Sequence, residues 1–217
     1  MKKTVAIFSV LFLLLGTVKA QDNNTQLQSL VTQMDKAGNV KEFIKLANEF
    51  GQLAEQEPNN WLNWYYAAFC NAKIGWLYME DGEKIEPFAN KADAQIKKAY
   101  ALLDTAKQKK ELSEVYCVLS MTNRAKVYIN PMTYGRTYGP PAGRYTQKAR
   151  SSDPENPRAL YIEGWEKYAT PKMYGGDKKK AKELLEQAKQ KLNAEQDAVS
   201  TPHWGIKETD ELLGKLK

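Results

Sequence analysis

Histidine is almost absent from this chain, because His203 is the single histidine among 217 residues. A histidine-rich metal site is therefore excluded, and acid–base catalysis by histidine would depend on this one residue. The chain also lacks the nucleophile-elbow serine motif, the phosphate-binding glycine loop and the HExxH zinc motif. We therefore expect a protein that is not an enzyme and uses no cofactor or metal, with His203 in a capping or packing role.

Cysteine is also scarce, with Cys70 and Cys117 as the two examples. Each lies in a segment of helix-forming residues, and neither has the closely spaced partner of a redox or metal motif. An oxidising compartment would permit a disulfide between them. We predict two buried free thiols instead.

Long apolar runs are missing beyond the first residues of the chain. Lys2 and Lys3 precede an apolar run over residues 5–15, and Val18-Lys19-Ala20 offers a small-x-small cleavage site before Gln21. This pattern predicts a cleaved secretory signal peptide over residues 1–20, since the run is short for a membrane helix. We expect a soluble mature protein that is periplasmic or secreted, without a transmembrane segment.

The excess of positive charge is smaller than the formal value of +6 suggests. Removing the three lysines of the signal leaves 29 basic and 26 acidic residues, which is a net charge of about +3. The lysine run 178–180 is typical of a solvated helix face. Export and the lack of a nucleic-acid fold signature argue against a nucleic-acid partner.

Helix-forming residues dominate the chain, and strand-like alternation is nearly absent. Turn signals such as Glu57-Pro58-Asn59-Asn60, Asp81-Gly82 and Asp153-Pro154 separate the helical segments. The fold class predicted is all-α. The predicted helices cover residues 25–36, 40–56, 61–78, 87–103, 109–129, 144–151, 158–168, 178–192 and 206–216.

Internal repeats relate several of these helices. The motif Y-x-x-P-x-x-Y-G occurs at residues 128–135 and again, forty residues later, at 168–175. The stretch that begins at Pro58 matches the one at Pro154, with an offset of ninety-six residues. Two self-matches indicate repeated helical units rather than an unrelated bundle.

The repeated units resemble the tetratricopeptide repeat family, whose second helix carries small, bulky and small residues at positions 0, +4 and +7. The sets Ala92-Ile96-Ala99 and Ala181-Leu185-Ala188 match fully, whereas Ala47-Gly51-Ala54 and Ala142-Thr146-Ala149 match in part. Arg124 departs from the pattern, since it stands where Ala68 and Gly164 supply the small residue of other units. More narrowly, the chain resembles divergent exported tetratricopeptide-like proteins of Bacteroidota.

The resemblance implies one domain over residues 21–217, a tetratricopeptide-like right-handed superhelix of helical hairpins with capping helices at both ends. In the implied register Cys70 and Cys117 are too far apart to bridge. The same register implies that the first helices of the units line a binding groove. Its candidate binding residues are Tyr65, Phe69, Met121, Tyr128, Arg158, Tyr161, Trp165 and Tyr168. Tyrosine, tryptophan and arginine are common in binding hot spots, but the same aromatics could simply fill the core between helices.

Residues 130–145 form a second candidate, which we predict to be a long connection between helices. This segment carries Tyr134, Arg136, Tyr138 and Arg144 among glycines and prolines. Long ordered loops often bind ligands. The alternative is that the loop folds back and packs its own tyrosines.

Three functions stay open at this point. The first is a scaffold in the cell envelope that binds a protein or peptide partner through an aromatic groove. The second is a small-solute-binding subunit associated with a transporter, which a closed aromatic pocket would favour. The third and most remote is a hydrolase that uses two carboxylates in a cleft.

Overall fold

The computed structural model describes residues 24–195 and 201–216, and within these ranges the protein is all-helical, without strands. The predicted all-α class is therefore confirmed for this part of the chain. The predicted signal peptide lies outside it. The described residues form nine α-helices: α1 (24–36), α2 (Val40–Gln56), α3 (Trp61–Leu77), α4 (Glu86–Ala101), α5 (Lys109–Ile129), α6 (Pro131–Ser152), α7 (Pro157–Ala169), α8 (Lys178–Ala194) and α9 (Ile206–Gly214).

Asparagine and aspartate residues fix the starts of these helices. The Asn39 side chain accepts a hydrogen bond from the Glu42 amide and Glu42 reaches back to it, which makes a capping box at α2. Asn60, Asn156 and Asp177 accept hydrogen bonds from the first-turn amides of α3, α7 and α8. Each satisfies a donor that the helix itself leaves unpaired. The last polar residue of each of these turns is therefore the N-cap of the helix that follows.

Neighbouring helices pack in pairs, with α3 against α4, α5 against α6 and α7 against α8. Helix α5 also packs against both α3 and α7, so these three lie side by side. Helix α3 buries thirteen of its seventeen residues, because it is also covered by α2 and by residues 201–216. A helix that is apolar on all sides is expected in such a central position.

The small residues of the repeat pattern lie at close helix contacts. Ala92, Ala99, Ala181 and Ala188 are fully buried. A Cβ atom at Gly164 would lie 2.9 Å from Leu185 Cγ. These contacts explain why the units need small side chains at those positions. The tetratricopeptide superhelix itself stays a prediction.

Residues 130–145 were expected to form a loop, and this expectation is wrong because α6 begins at Pro131 and continues to Ser152. Its N-cap is Asn130, which precedes proline at the first helical position, a favoured arrangement. Pro140 and Pro141 lie inside the helix and remove two amide donors.

Helix α6 packs closely against α5 on either side of the contact between Ser120 and Thr146. Ser113 Oγ donates to the Ala149 carbonyl at 2.8 Å, and Ser120 Oγ donates to the Ala142 carbonyl at 3.0 Å. These contacts require the two helices to approach closely, which small residues allow. Tertiary packing therefore overrides the low helix propensity of the proline- and glycine-rich stretch.

Residues 201–216 return across the central helices. The Tyr66 phenol donates a hydrogen bond to the Thr201 carbonyl at 3.1 Å. Lys73 and Glu208 form a nearly buried ion pair, with the two charged atoms 2.8 Å apart. His203 Nε2 lies 2.9 Å from Asp35 Oδ2. This last segment of the described chain is thus tied to α1 and α3.

Cys70 and Cys117 are both buried and free, as predicted. Burial raises the pKa of each thiol above its ordinary value. In the part of the chain that the structure describes, no helix has both the length and the apolar character needed to cross a membrane.

Candidate ligand-binding cleft

Four of the predicted groove residues meet around Trp204. The Phe69 and Trp204 rings stack with centroids 4.6 Å apart, and Tyr161 packs edge-on against Trp204 at 6.0 Å. Trp204 Nε1 donates to the Tyr65 phenol oxygen at 2.7 Å. Arg158 Nη1 donates to the Trp204 carbonyl at 3.2 Å. We call Tyr65, Phe69, Arg158, Tyr161 and Trp204 the Trp204 cluster.

A buried ion-pair network supports this cluster. Arg158 Nε donates to Glu114 at 2.8 Å, and its two terminal nitrogens both bind Glu195, at 2.9 and 2.7 Å. Glu114 also accepts hydrogen bonds from Tyr65 and Asn156. Every charge of this network has a partner, as a buried polar network requires.

The pKa shifts in this network follow from burial and pairing. Burial raises the pKa of Glu114, and the nearby Arg158 opposes that rise. Burial alone would lower the pKa of Arg158, but Glu114 and Glu195 raise it above its usual value. The guanidinium is therefore held charged by two carboxylates.

The protein itself thus covers the residues of the Trp204 cluster, which are buried in the core. Met121 is buried as well, and its carbonyl accepts a hydrogen bond from Trp76 Nε1 at 2.9 Å. These five predicted residues therefore expose almost no surface to a ligand. Their role in binding stays a prediction.

A second aromatic region is open to solvent, and it lies between α5, the first half of α6 and the end of α7. This cleft has a volume of about 700 Å³, within the usual range for small-molecule sites. We call it the tyrosine cleft. It is lined by Arg124, Val127, Tyr128, Pro131, Met132, Gly135, Arg136, Gly139, Trp165, Ala169, Thr170, Pro171 and Tyr174.

The two copies of the Y-x-x-P-x-x-Y-G motif form facing parts of this cleft. Tyr128, Pro131, Met132 and Gly135 come from the first copy, at the junction of α5 and α6. Residues 169–171 and Tyr174 come from the second copy, which follows α7 and ends in a 3₁₀ turn at Lys172–Tyr174. The duplicated motif is therefore part of the cleft lining and not only a marker of the repeat.

Apolar side chains at the rim of the cleft are unusually exposed. Met132 is 91% exposed, Met173 81% and Tyr174 73%, more than any other large apolar residue that the structure describes. Met132 and Tyr174 line the cleft, and Met173 is the neighbour of Tyr174. An exposed apolar patch next to a cavity is typical of a binding site.

Trp165 lies at the junction of the cleft and the core. Its ring packs against Trp76 with centroids 4.6 Å apart and against Tyr128 at 6.4 Å, edge to face. The Arg124 guanidinium carbon lies 5.3 Å from the centre of the Trp165 ring. Burial raises the pKa of Tyr128, so its side chain is a neutral phenol. The cleft therefore offers neutral aromatic surface next to a cation.

The structure brings only some of the predicted binding residues into this cleft. Tyr128, Trp165 and Arg136 line it. Tyr168 is partly buried beside Lys178, whose Nζ lies 5.8 Å from the ring centre. Of the remaining predicted residues in α6, Tyr134 and Tyr138 pack edge to face at 5.5 Å, and Arg144 is exposed away from the cleft lining.

Two smaller pockets flank the Trp204 cluster. One, of about 330 Å³, lies beside His203 and Trp204, and the other, of about 390 Å³, lies beside Glu114 and Arg158. The second contains several carboxylates, but Glu114 is already bound by Tyr65, Asn156 and Arg158. Within the described ranges no group of three or more His, Cys, Asp or Glu side chains could hold a metal ion.

Sequence reasoning did not select Arg124, Met132 and Tyr174, which line the tyrosine cleft. Arg124 carried a signal, because it replaces the small residue that the repeat pattern requires at its position. The second copy of the motif carried another, since Tyr174 is its last aromatic residue. Both signals were treated as features of the repeat and not of a site.

Comparisons with known proteins give one informative match. No family model and no curated protein matches the chain. Among solved structures, the HusA haemophore from Porphyromonas gingivalis is similar, with 27% sequence identity and a TM-score of 0.73. The match covers 91% of this chain and 92% of the haemophore chain. The chain is therefore similar, over nearly its whole length, to an all-helical binding protein of a member of the Bacteroidota.

Proposed function

We propose that this protein is an exported binding protein for a tetrapyrrole such as haem, and that the ligand occupies the tyrosine cleft. The observation that carries the proposal is the combination of this open aromatic cleft with a similarity to a haemophore that extends over 91% of the chain. This combination favours a small planar ligand over a peptide, because a peptide would need a broad groove.

The cleft fits a flat aromatic ligand in size and chemistry. Trp165 and Tyr128 meet at 70° and present ring surface, and the exposed thioether of Met132 lies at the rim. Aromatic and methionine side chains contact large apolar ring systems well. Among the described residues that line the cleft, Tyr128, Tyr174 and Met132 are the ones able to ligate iron. The raised pKa of Tyr128 favours ring contact over ligation as a phenolate.

The geometry of the cleft also bears on the two alternative functions, a hydrolase and a protein-binding scaffold. The lining of the tyrosine cleft includes no carboxylate within the described part of the chain, so the two-carboxylate hydrolase has no support there. A protein partner remains the second candidate function, and the strong exposure of Met132 and Met173 favours it. Such a partner would contact the rim, whereas the tetrapyrrole would occupy the interior.

A variant that fills the cleft tests the proposal directly. Gly135 and Gly139 lie on one face of α6, and a Cβ atom at either position would meet no atom from another part of the described protein within 4 Å. We expect mature wild-type protein to bind haemin and metal-free protoporphyrin IX, seen as a shift of the Soret absorption band. The variant Gly135→Leu/Gly139→Leu should lose at least about tenfold in affinity, because leucine side chains occupy the ligand volume.

Gly214→Leu is the matched control, since a Cβ there also meets open space and Gly214 does not line the cleft. Circular dichroism establishes that both variants are folded. Equal affinity of the filled variant and the wild type would place the ligand elsewhere. No binding of either tetrapyrrole by the wild type would overturn the proposed function, and a rim-dependent protein partner would then become the leading explanation.

A further inference from the structure

Arg124 is a nearly buried cation with incomplete pairing. Its side chain is 11% exposed, and its Nη2 forms an ion pair with Glu166. Its Nε is buried and has no hydrogen-bond acceptor among the described residues. A buried donor without a partner costs free energy, so it needs an explanation. Arg124 also lines the tyrosine cleft, so a ligand there would lie beside its guanidinium group.

Arg158 shows what a fully paired buried arginine looks like in the same protein. Two carboxylates and one carbonyl surround it, and its pKa is raised above the usual value. Arg124 has one carboxylate, and burial lowers its pKa because Glu166 compensates only in part. Arg158 thus has two carboxylate partners, whereas Arg124 has one among the described residues.

The charge of the cleft is consistent with an anionic ligand group. Arg124 and Arg136 are the charged residues in the described lining, and both are positive. Arg124 is nearly buried beside Trp165, whereas Arg136 is exposed. An aromatic ligand lying against Trp165 would therefore place its edge substituents near a guanidinium. Guanidinium groups bind carboxylates through strong, charge-assisted hydrogen bonds.

We propose that Arg124 binds a carboxylate of the ligand, so that the cleft selects aromatic macrocycles with free carboxylates over their neutral esters. This inference rests on the proposed function, because it assigns the ligand class of the same cleft. It assigns a role to Arg124 that its place in the repeat pattern does not require. It also accounts for a charged residue at a position where other units have alanine or glycine.

The test compares protoporphyrin IX with its dimethyl ester in the same mixed water–dimethyl sulfoxide buffer. We expect wild-type protein to bind the diacid about tenfold or more tightly than the ester, since a hydrogen bond to a charged group is worth that factor or more. The variant Arg124→Gln/Glu166→Gln removes both charges and leaves no orphaned carboxylate. It should bind diacid and ester with nearly equal affinity.

The matched control is Arg150→Gln/Glu163→Gln, another partly buried Arg–Glu pair with a 3.0 Å contact that does not line the cleft. This control should keep the preference for the diacid. Equal binding of diacid and ester by the wild type would overturn the inference and leave the proposed function intact, and this arm needs no variant. A preference that persists in folded Arg124→Gln/Glu166→Gln would also overturn it. Failure of the wild type to bind either compound would instead contradict the proposed function.

Discussion

The Trp204 cluster and the tyrosine cleft are built from the same residue types but are completed differently. Both combine tyrosine, tryptophan and a nearly buried arginine. In the Trp204 cluster the protein itself supplies the covering ring, the hydrogen-bond donor and the second carboxylate. In the tyrosine cleft the aromatic surface is open, and Arg124 Nε lacks an acceptor among the described residues.

This difference shows that residue composition alone does not identify a binding site. Aromatic residues with arginine are typical of hot spots and equally of well-paired interiors. The two regions differ in whether the chain itself covers their apolar surface and pairs their charges. The expected consequence is that changes in the Trp204 cluster reduce stability, whereas changes in the tyrosine cleft reduce ligand affinity.

The largest effect on stability is expected for Arg158→Met. The change leaves Glu114 buried without its guanidinium, which costs about 3–5 kcal/mol in the free energy of unfolding. Burial raises the pKa of Glu114 in the folded state. A carboxyl with a raised folded pKa destabilises the folded state as the pH rises through that pKa. The deficit should therefore be largest at neutral pH and smaller below the usual glutamate pKa of 4.5.

Urea denaturation of wild type and variant across this pH range measures the deficit. Glu114→Gln/Arg158→Met is the control, since it removes the charge that Arg158→Met leaves behind and should recover part of the loss at neutral pH. A deficit that is independent of pH would contradict the assigned cause. Protoporphyrin affinity should stay near the wild-type value under conditions where the variant is folded.

A reciprocal pair of tryptophan variants separates the two regions. Trp204→Ala removes a buried ring that stacks on Phe69 and donates to Tyr65, so we expect a loss of about 3 kcal/mol in stability. Trp165→Ala removes a partly exposed ring of the cleft, so its stability loss should be smaller. We expect its tetrapyrrole affinity to fall about tenfold.

Urea denaturation and Soret titration are carried out on both variants, and each serves as the control of the other. Loss of affinity in folded Trp204→Ala that equals the loss in Trp165→Ala would show that the covered cluster takes part in binding. In that case residues 201–216 would have to move when ligand binds.

The smallest effect is expected for a glycine of the cleft lining, and a second glycine beside the cleft provides the contrast. Gly135 is in the interior of α6 with open space at its Cβ position, so Gly135→Ala should stabilise the protein by about 0.5–1 kcal/mol. Gly176 directly follows the second motif copy, and a Cβ there would lie 1.7 Å from the Thr170 carbonyl oxygen. Gly176→Ala should therefore destabilise the protein and weaken binding.

Thermal unfolding of the two variants beside the wild type gives the sign of each change. Stabilisation by both substitutions would show that the turn after Pro171 can shift at no cost. It would then be too adaptable to serve as a fixed wall of the cleft.

Much of the helical framework could be predicted from local sequence. The predicted bounds of α2 and α5 agree with the structure to the residue. For α2 the reason is a local one, since the Asn39 cap and the Glu57-Pro58 turn define its ends. The second half of α6 was predicted as a helix over residues 144–151, but its first half was missed. The prolines and glycines of the first half predict a loop, and the packing of α6 on α5 is not a local property.

The candidate site was predictable only in part. Tyr128, Trp165 and Arg136 were selected from the sequence, and they line the same cleft. Whether they bind a ligand stays a prediction. Tyr65, Phe69, Arg158 and Tyr161 were selected by the same reasoning and lie in a buried cluster. The sequence could not separate the two groups, because a ring that faces a groove and a ring that faces a neighbouring helix follow the same helical spacing.

The sequence by itself determined the all-helical class, most helix boundaries and the duplicated motif, because these depend on propensities, caps and spacings within a few residues. Only the tertiary structure decided which aromatic region is open. Trp204 reaches Tyr65 across 139 residues of chain, and no local pattern encodes that contact. The same packing that covers one set of rings leaves Trp165 and the nearly buried Arg124 in the lining of an open cleft.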